Sequence, residues 1–165
     1  MANILITFAS MSGNTEEMAD LLKADIEKHG HEVTFEELDE LSAHDLVQYD
    51  GLLLGSYTWN DGDLPYEAED IYEEIEDLDL TGIKVAVFGS GDTNYPLFCE
   101  AVHTFEKQLT SSGATLVQDG LKIEMAPTSD EDFEKISAFG DTFATFFNTV
   151  TYNSLGRRTK AQATV

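Results

Sequence analysis

Apolar runs of strand length recur along the chain at Asn3 to Phe8, Val33 to Phe35, Gly51 to Gly55 and Lys84 to Gly89, and again at Thr115 to Val117 continued by Leu121 to Ile123. Between them the apolar positions change to helical spacing. Met18, Leu22 and Ile26 are four apart, and Ile71, Ile75 and Leu78 follow at four and three. Phe98, Val102, Phe105 and Leu109 do the same, and Ile136, Phe139, Phe143 and Phe147 form a last stripe. Strand then helix, five times over, predicts an α/β fold, a doubly wound five-stranded parallel sheet with helices on both faces. Unbroken apolar runs such as Leu52-Leu53-Leu54 and Val85-Ala86-Val87-Phe88 suit central strands covered on both sides, whereas Glu32-Val33-Thr34-Phe35-Glu36 alternates as an edge strand does. With the second strand at the edge, the predicted order is 2-1-3-4-5.

In an open parallel sheet a ligand sits outside the carboxyl ends of the strands, where the strand order reverses. Here those positions are the loops Ser10 to Thr15, Ser56 to Asp63 and Ser90 to Tyr95. The first, Ser10-Met11-Ser12-Gly13-Asn14-Thr15, brings three hydroxyls, a Gly and an Asn to a helix start, where free N–H groups and the helix dipole favour an anion such as phosphate. Alone it reads better as a capping box, Ser12 or Asn14 with an acid one turn on, than as a binding site. It is neither a Walker loop nor a G-x-G-x-x-G turn. The second loop holds the sole tryptophan in Ser56-Tyr57-Thr58-Trp59-Asn60-Asp61-Gly62-Asp63, among polar neighbours that argue against a core position for Trp59. The third, Ser90-Gly91-Asp92-Thr93-Asn94-Tyr95, presents Tyr95. Two aromatics on loops flanking one crevice make a sandwich for a flat ring. A phosphate below and a flat ring above describe a mononucleotide.

Composition narrows the classes. With 165 residues, 42% of them hydrophobic, residues 1–150 are expected to form one domain with a full core. Residues 151–165 are polar and basic and are expected to be a disordered or non-native tail without a role in the fold. The lone Cys99 forms no intramolecular disulfide, and His29, His31, His44 and His103 lack zinc-site spacing, so no metal is expected. No apolar stretch reaches the roughly 20 residues of a membrane span, and the first residues lack a secretory pattern, so a soluble cytoplasmic protein is expected. The formal charge is -23, and all 32 acidic residues precede residue 151 while Arg157, Arg158 and Lys160 follow it. Such a surface repels nucleic acid and anionic membranes. Ten acids lie between Asp61 and Asp79 without a basic residue among them, both a solubilising face and a surface suited to basic partners.

Taken together the three loops resemble those of short-chain flavodoxins, over about Asn3 to Val150. The run from Ser10 through Ser12-Gly13-Asn14-Thr15 resembles the family's phosphate loop, Thr58-Trp59-Asn60-Asp61 its first flavin loop, and Gly91-Asp92 with Tyr95 its second. The switch-point rule is itself drawn in part from this family. The resemblance implies a flavodoxin-like fold, non-covalent FMN binding and one-electron transfer at low potential by a monomer. The implied partners are basic-surfaced redox proteins, a flavodoxin reductase as donor and acceptor oxidoreductases. It implies that Ser10, Met11, Ser12, Gly13, Asn14 and Thr15 hold the phosphate, that Trp59 and Tyr95 cover the ring, and that Ser56, Tyr57, Thr58, Asn60, Asp61, Ser90, Gly91, Asp92 and Phe98 complete the site. No catalytic residue is implied, in keeping with the lack of a nucleophile motif. Family members commonly carry Gly where Asn60 stands, in a turn whose carbonyl flips inward. Asp61, Asp63 and Asp92, with no Lys or Arg in any of the three loops, disfavour the anionic fully reduced ring and lower its potential.

Three other classes compete, one of them a flavin-free binding module. A signalling receiver domain shares the strand order but needs an Asp ending the third strand and a Lys ending the fifth, whereas here the third ends at Ser56. An FMN-dependent NAD(P)H oxidoreductase needs an open ring face and a basic group for the second cofactor.

Overall fold

The computed structural model describes residues 1–147, together with the backbone of two two-residue strands beyond them. The elements are β1 (Asn3–Ala9), α1 (Asn14–Lys28), β2 (Glu32–Glu37), β3 (Gly51–Ser56), α2 (Tyr66–Ile75), β4 (Lys84–Gly91), α3 (Glu100–Ser111), β5 (Thr115–Leu116), β6 (Leu121–Glu124), α4 (Asp130–Thr145), β7 (Thr151–Tyr152) and β8 (Arg158–Thr159). The main sheet is parallel in the order β2-β1-β3-β4-β5, with β6 also pairing β4. The predicted fifth strand is thus two short ones on the same neighbour. Apart from β7 and β8, which pair antiparallel, the tail lies outside the described residues.

The continuous apolar runs work by sending alternate residues to opposite faces. Ile4, Ile6, Phe8, Leu53, Ala86 and Phe88 pack with Met18, Leu22 and Ile26 of α1 and Ile136, Phe139 and Phe143 of α4. Their neighbours Leu5, Leu52, Leu54, Val85 and Val87 pack on the other face with Ile71 and Ile75 of α2 and Val102, Phe105 and Leu109 of α3. Every residue of β3 is buried, while β2 is exposed or half-buried throughout, as expected for a centre and an edge.

The fold departs from the sequence expectation in two places. Four α-helices, not five, are present among the described residues, because two 3₁₀ turns, Leu38–Glu40 and Ala43–Gln48, link β2 to β3. Leu38, Ala43 and Leu46 plug the core from these turns without a helical stripe. Phe98, Leu78 and Phe147, predicted to continue helical stripes, lie just outside α3, α2 and α4. Each packs against the core, and an apolar period read from sequence does not separate the last turn of a helix from the loop folded against it.

Register brings the three loops to one end. Ala9 lies opposite Ser56, and Gly55 opposite Phe88, so β1, β3 and β4 finish side by side. A Cβ on Gly89 would stand 2.5 Å from the Ser56 carbonyl oxygen, so the close approach of β4 to the end of β3 depends on glycine there.

Candidate functional site

The Ser10 to Thr15 loop leaves β1 and enters α1 through Gly13, at φ +90°. The capping box allowed by the sequence does not form, for no side chain caps α1. The contrast is with α4, where Ser129 and Asp132 satisfy each other's backbone N–H groups in a complete capping box. Ser10 Oγ accepts from the Gly13 N–H at 3.1 Å, which tightens the loop and leaves the first-turn N–H groups of α1 without side-chain partners. A Cβ built on Gly13 would meet nothing within 4 Å, so the loop borders open space. Met11 and Ser12 are exposed, Ser10 and Asn14 partly so. Thr15 is buried, its hydroxyl 2.7 Å from that of Ser90.

In the second loop Trp59 and Asp63 exchange two backbone hydrogen bonds, of 2.8 and 2.9 Å, closing a tight turn over Asn60, Asp61 and Gly62. Asn60 sits at φ +47° and Gly62 at φ +102°. Asn tolerates the left-handed region because its short amide finds local partners, and Gly because it has no Cβ. Trp59 is 44% exposed, as its polar neighbours predict. The rest of the loop is anchored: Ser56 Oγ donates to the Tyr57 carbonyl at 2.8 Å, the Tyr57 hydroxyl donates to Glu67 at 2.8 Å, and Thr58 Oγ1 accepts from the Ala101 N–H at 3.0 Å. Burial first, then Glu67, raises the Tyr57 pKa and keeps that phenol protonated.

In the third segment Ser90 and Gly91 belong to β4 rather than to the loop. Asp92 accepts from the Asn94 N–H at 2.8 Å and its carbonyl from the Tyr95 N–H at 3.1 Å, a turn that leaves Tyr95 48% exposed. Phe98 is half-buried against the core. Next to it, buried Cys99 adopts φ +54°, and desolvation pushes its thiol pKa up to about 12, which makes it inert.

These contacts join the three segments. The Thr15–Ser90 pair fastens α1 to the end of β4, Thr58 fastens the tryptophan loop to α3, and a Cβ on Gly62 would lie 2.6 Å from Leu97 Cδ1. Sequence reading missed Leu97 and Met125, which are 45% and 48% exposed at this end; Met125 donates its N–H to the Gly91 carbonyl at 2.8 Å. Leu97 lies in the apolar run Tyr95-Pro96-Leu97-Phe98-Cys99 and Met125 beside Ala126 and Pro127, so sequence pattern does not separate either from a core position.

Uncapped N–H groups, open space beside Gly13 and the serine hydroxyls suit a phosphate. Trp59 and Tyr95 stack on no other ring among the described residues, which suits a flat ring between them. The residues present fit a flavin mononucleotide. Among the described residues no group of three or more His, Cys, Asp or Glu is placed to hold a metal, and no helix is long and apolar enough to cross a membrane.

Residues 6–139 match the family model described as flavodoxin. Probable flavodoxin 1 of Bacillus subtilis (strain 168) is 50% identical over 143 residues, 87% of this chain and 90% of that protein. The crystal structure of oxidised flavodoxin 2 from Bacillus cereus superposes with a TM-score of 0.87 at 57% identity, covering 88% of this chain and all of that one. That of oxidised flavodoxin 1 from Bacillus cereus superposes at 0.84 with 46% identity, covering 87% and 97%.

Proposed function

This chain belongs to the flavodoxin family of FMN-binding electron carriers, and from that premise we propose that it carries single electrons at low potential between a basic reductase and acceptor oxidoreductases. The observation that supports this reading best is the meeting of the uncapped α1 N-terminus with two loops whose aromatic rings are unpaired. When bound, FMN supplies the one-electron chemistry. The protein's part is to hold and tune.

In this reading the N–H groups of the first turn of α1, with Ser10, Ser12 and Asn14, bind the phosphate through fixed dipoles that add no net charge. The Thr15–Ser90 pair uses one hydroxyl proton and leaves the accepting partner's own O–H free to donate to the same group. Trp59 and Tyr95 cover the ring faces and exclude water, and the turn at Asn60 brings a backbone carbonyl to the ring edge. Asp92 spends one carboxylate oxygen on its own turn and keeps the other for the pyrimidine edge. Asp61, Asp63 and Asp92 oppose added negative charge, which lowers the potential of the last electron. No side chain is assigned an acid, base or nucleophile role, so the protein acts as a carrier and not as an enzyme with its own substrate.

The test is the absorption spectrum of the FMN-loaded protein during stepwise anaerobic reduction. Two resolved one-electron steps support the carrier. Bleaching by NADPH without an added reductase supports the oxidoreductase reading, and a protein that stays colourless in FMN overturns both.

A further inference from the structure

On α2's side of Trp59 lies a second concavity of about 660 Å³. Its walls include four aromatic side chains, Tyr57, Trp59, Tyr66 and Tyr72, and its lining carboxylates are Asp63, Glu67, Glu69 and Glu73. No residue of the Ser90 to Tyr95 segment lines it; from the first two loops it takes Met11, Tyr57, Trp59 and Asp63, and its remaining walls come from Leu64 and the first two turns of α2. None of its lining residues is basic, and among the described residues none of the four carboxylates takes part in an ion pair.

We infer that this pocket is a receptor for an arginine side chain presented by the docking partner. The chemistry of the walls selects the group. Aromatic faces attract a cation, and carboxylates demand one. A guanidinium satisfies both at once, because it stacks flat on a ring while its fork of N–H donors reaches carboxylates at the edge. An ammonium is compact, strongly hydrated and unable to stack. The volume exceeds what one side chain fills, which leaves room for the backbone of the loop that carries it.

Two further features favour a protein as the source. Met11, Trp59 and Tyr66, at 66%, 44% and 87% exposed, surround the opening with apolar surface of the kind that partners cover. The formal charge of -23 steers a basic surface toward the molecule, and the pocket then gives that encounter a register. This inference rests on the carrier reading, since an arginine seated against Trp59 positions the donor or acceptor beside the ring that Trp59 covers.

The experiment titrates FMN-loaded protein with N-acetyl-arginine amide at constant ionic strength, while NMR follows the single indole N–H, that of Trp59, and the tyrosine rings. The expected result is a saturable shift of the indole and of Tyr66 and Tyr72. It weakens roughly tenfold with N-acetyl-lysine amide and disappears in the Glu69→Gln/Glu73→Gln variant, whose visible spectrum still reports bound flavin. Equal shifts with the lysine amide or with sodium chloride, or shifts retained in the variant, overturn the assignment. A shift that is present before any addition and vanishes in Arg157→Ala/Arg158→Ala gives the pocket to the chain's own tail and also overturns it. Should the protein take up no FMN, the carrier reading fails, and the same titration of the colourless protein still decides the pocket.

Discussion

Thr15 Oγ1 and Ser90 Oγ stand 2.7 Å apart across 75 residues of chain, both buried, and this pair is the pin between the first turn of α1 and the end of β4. Removing one partner strands the other in a dry site, so Thr15→Val or Ser90→Ala is expected to lower stability by about 1–3 kcal/mol, while replacing both together costs less than the sum. FMN affinity separates a pin from a ligand. If a hydroxyl of the pair also donates to the phosphate, the double variant recovers stability in urea titrations but not flavin affinity.

Thr7 presents the opposite case. It lies in β1 with no exposure, and its Oγ1 has no hydrogen-bond partner among the described residues. A hydroxyl buried without a partner has lost its water for nothing in return. Thr7→Val keeps the shape and removes the group, and is expected to stabilise the protein by about 1 kcal/mol, read as a higher urea midpoint with unchanged slope.

His31 ties both ends of the described domain together. Its Nδ1 accepts from the Ala2 N–H and its Nε2–H donates to the Ala144 carbonyl, each at 3.2 Å, and only the neutral ring does both. Burial first, then the positive amino terminus and His29, lowers its pKa below 6.5. The unfolded chain therefore binds this proton more readily than the folded one. The contribution of His31 is complete above the unfolded pKa of 6.5 and is lost as pH falls through the lower folded value. Urea midpoints should fall as the medium is acidified from neutrality, and His31→Gln should flatten that part of the dependence.

How far the molecule is legible in its sequence differs from element to element. Leu52-Leu53-Leu54 and Val85 to Phe88 announce buried parallel strands because both faces are covered, and the order follows from the one alternating strand, Glu32 to Glu36. The link through Leu38 and Leu46 was not legible as 3₁₀, since so short a stretch carries no period. At the site, loop composition exposes Trp59, Tyr95 and the α1 entrance, but pairings such as Thr15 with Ser90 or Thr58 with Ala101 join residues far apart in sequence. Whether Ser12 and Asn14 cap their helix or leave it open was ambiguous, because the same residues do both. Gly13 at φ +90° decides it by placing the helix boundary one residue beyond Ser12.

Asn60 carries the remaining prediction. Its φ of +47° lies in a turn that the Trp59–Asp63 backbone pair holds at both ends, so the strain cannot relax by opening the loop. Glycine occupies this region without a Cβ penalty and also reaches the alternative orientation of the following peptide, which asparagine reaches less easily. Asn60→Gly is therefore expected to leave stability within about 1 kcal/mol of the parent, the eased backbone offset by the greater freedom of the unfolded chain. Asn60→Val, branched at Cβ, should cost more than about 1 kcal/mol. In a redox titration of the FMN-loaded protein, easier turning of the Asn60 carbonyl toward the ring edge raises the first one-electron potential of the glycine variant, with each 1.4 kcal/mol gained amounting to about 59 mV. The second potential moves little, because the fully reduced ring keeps the same hydrogen bond and the carbonyl gives it nothing further. A glycine variant whose two potentials draw closer together contradicts this account of Asn60.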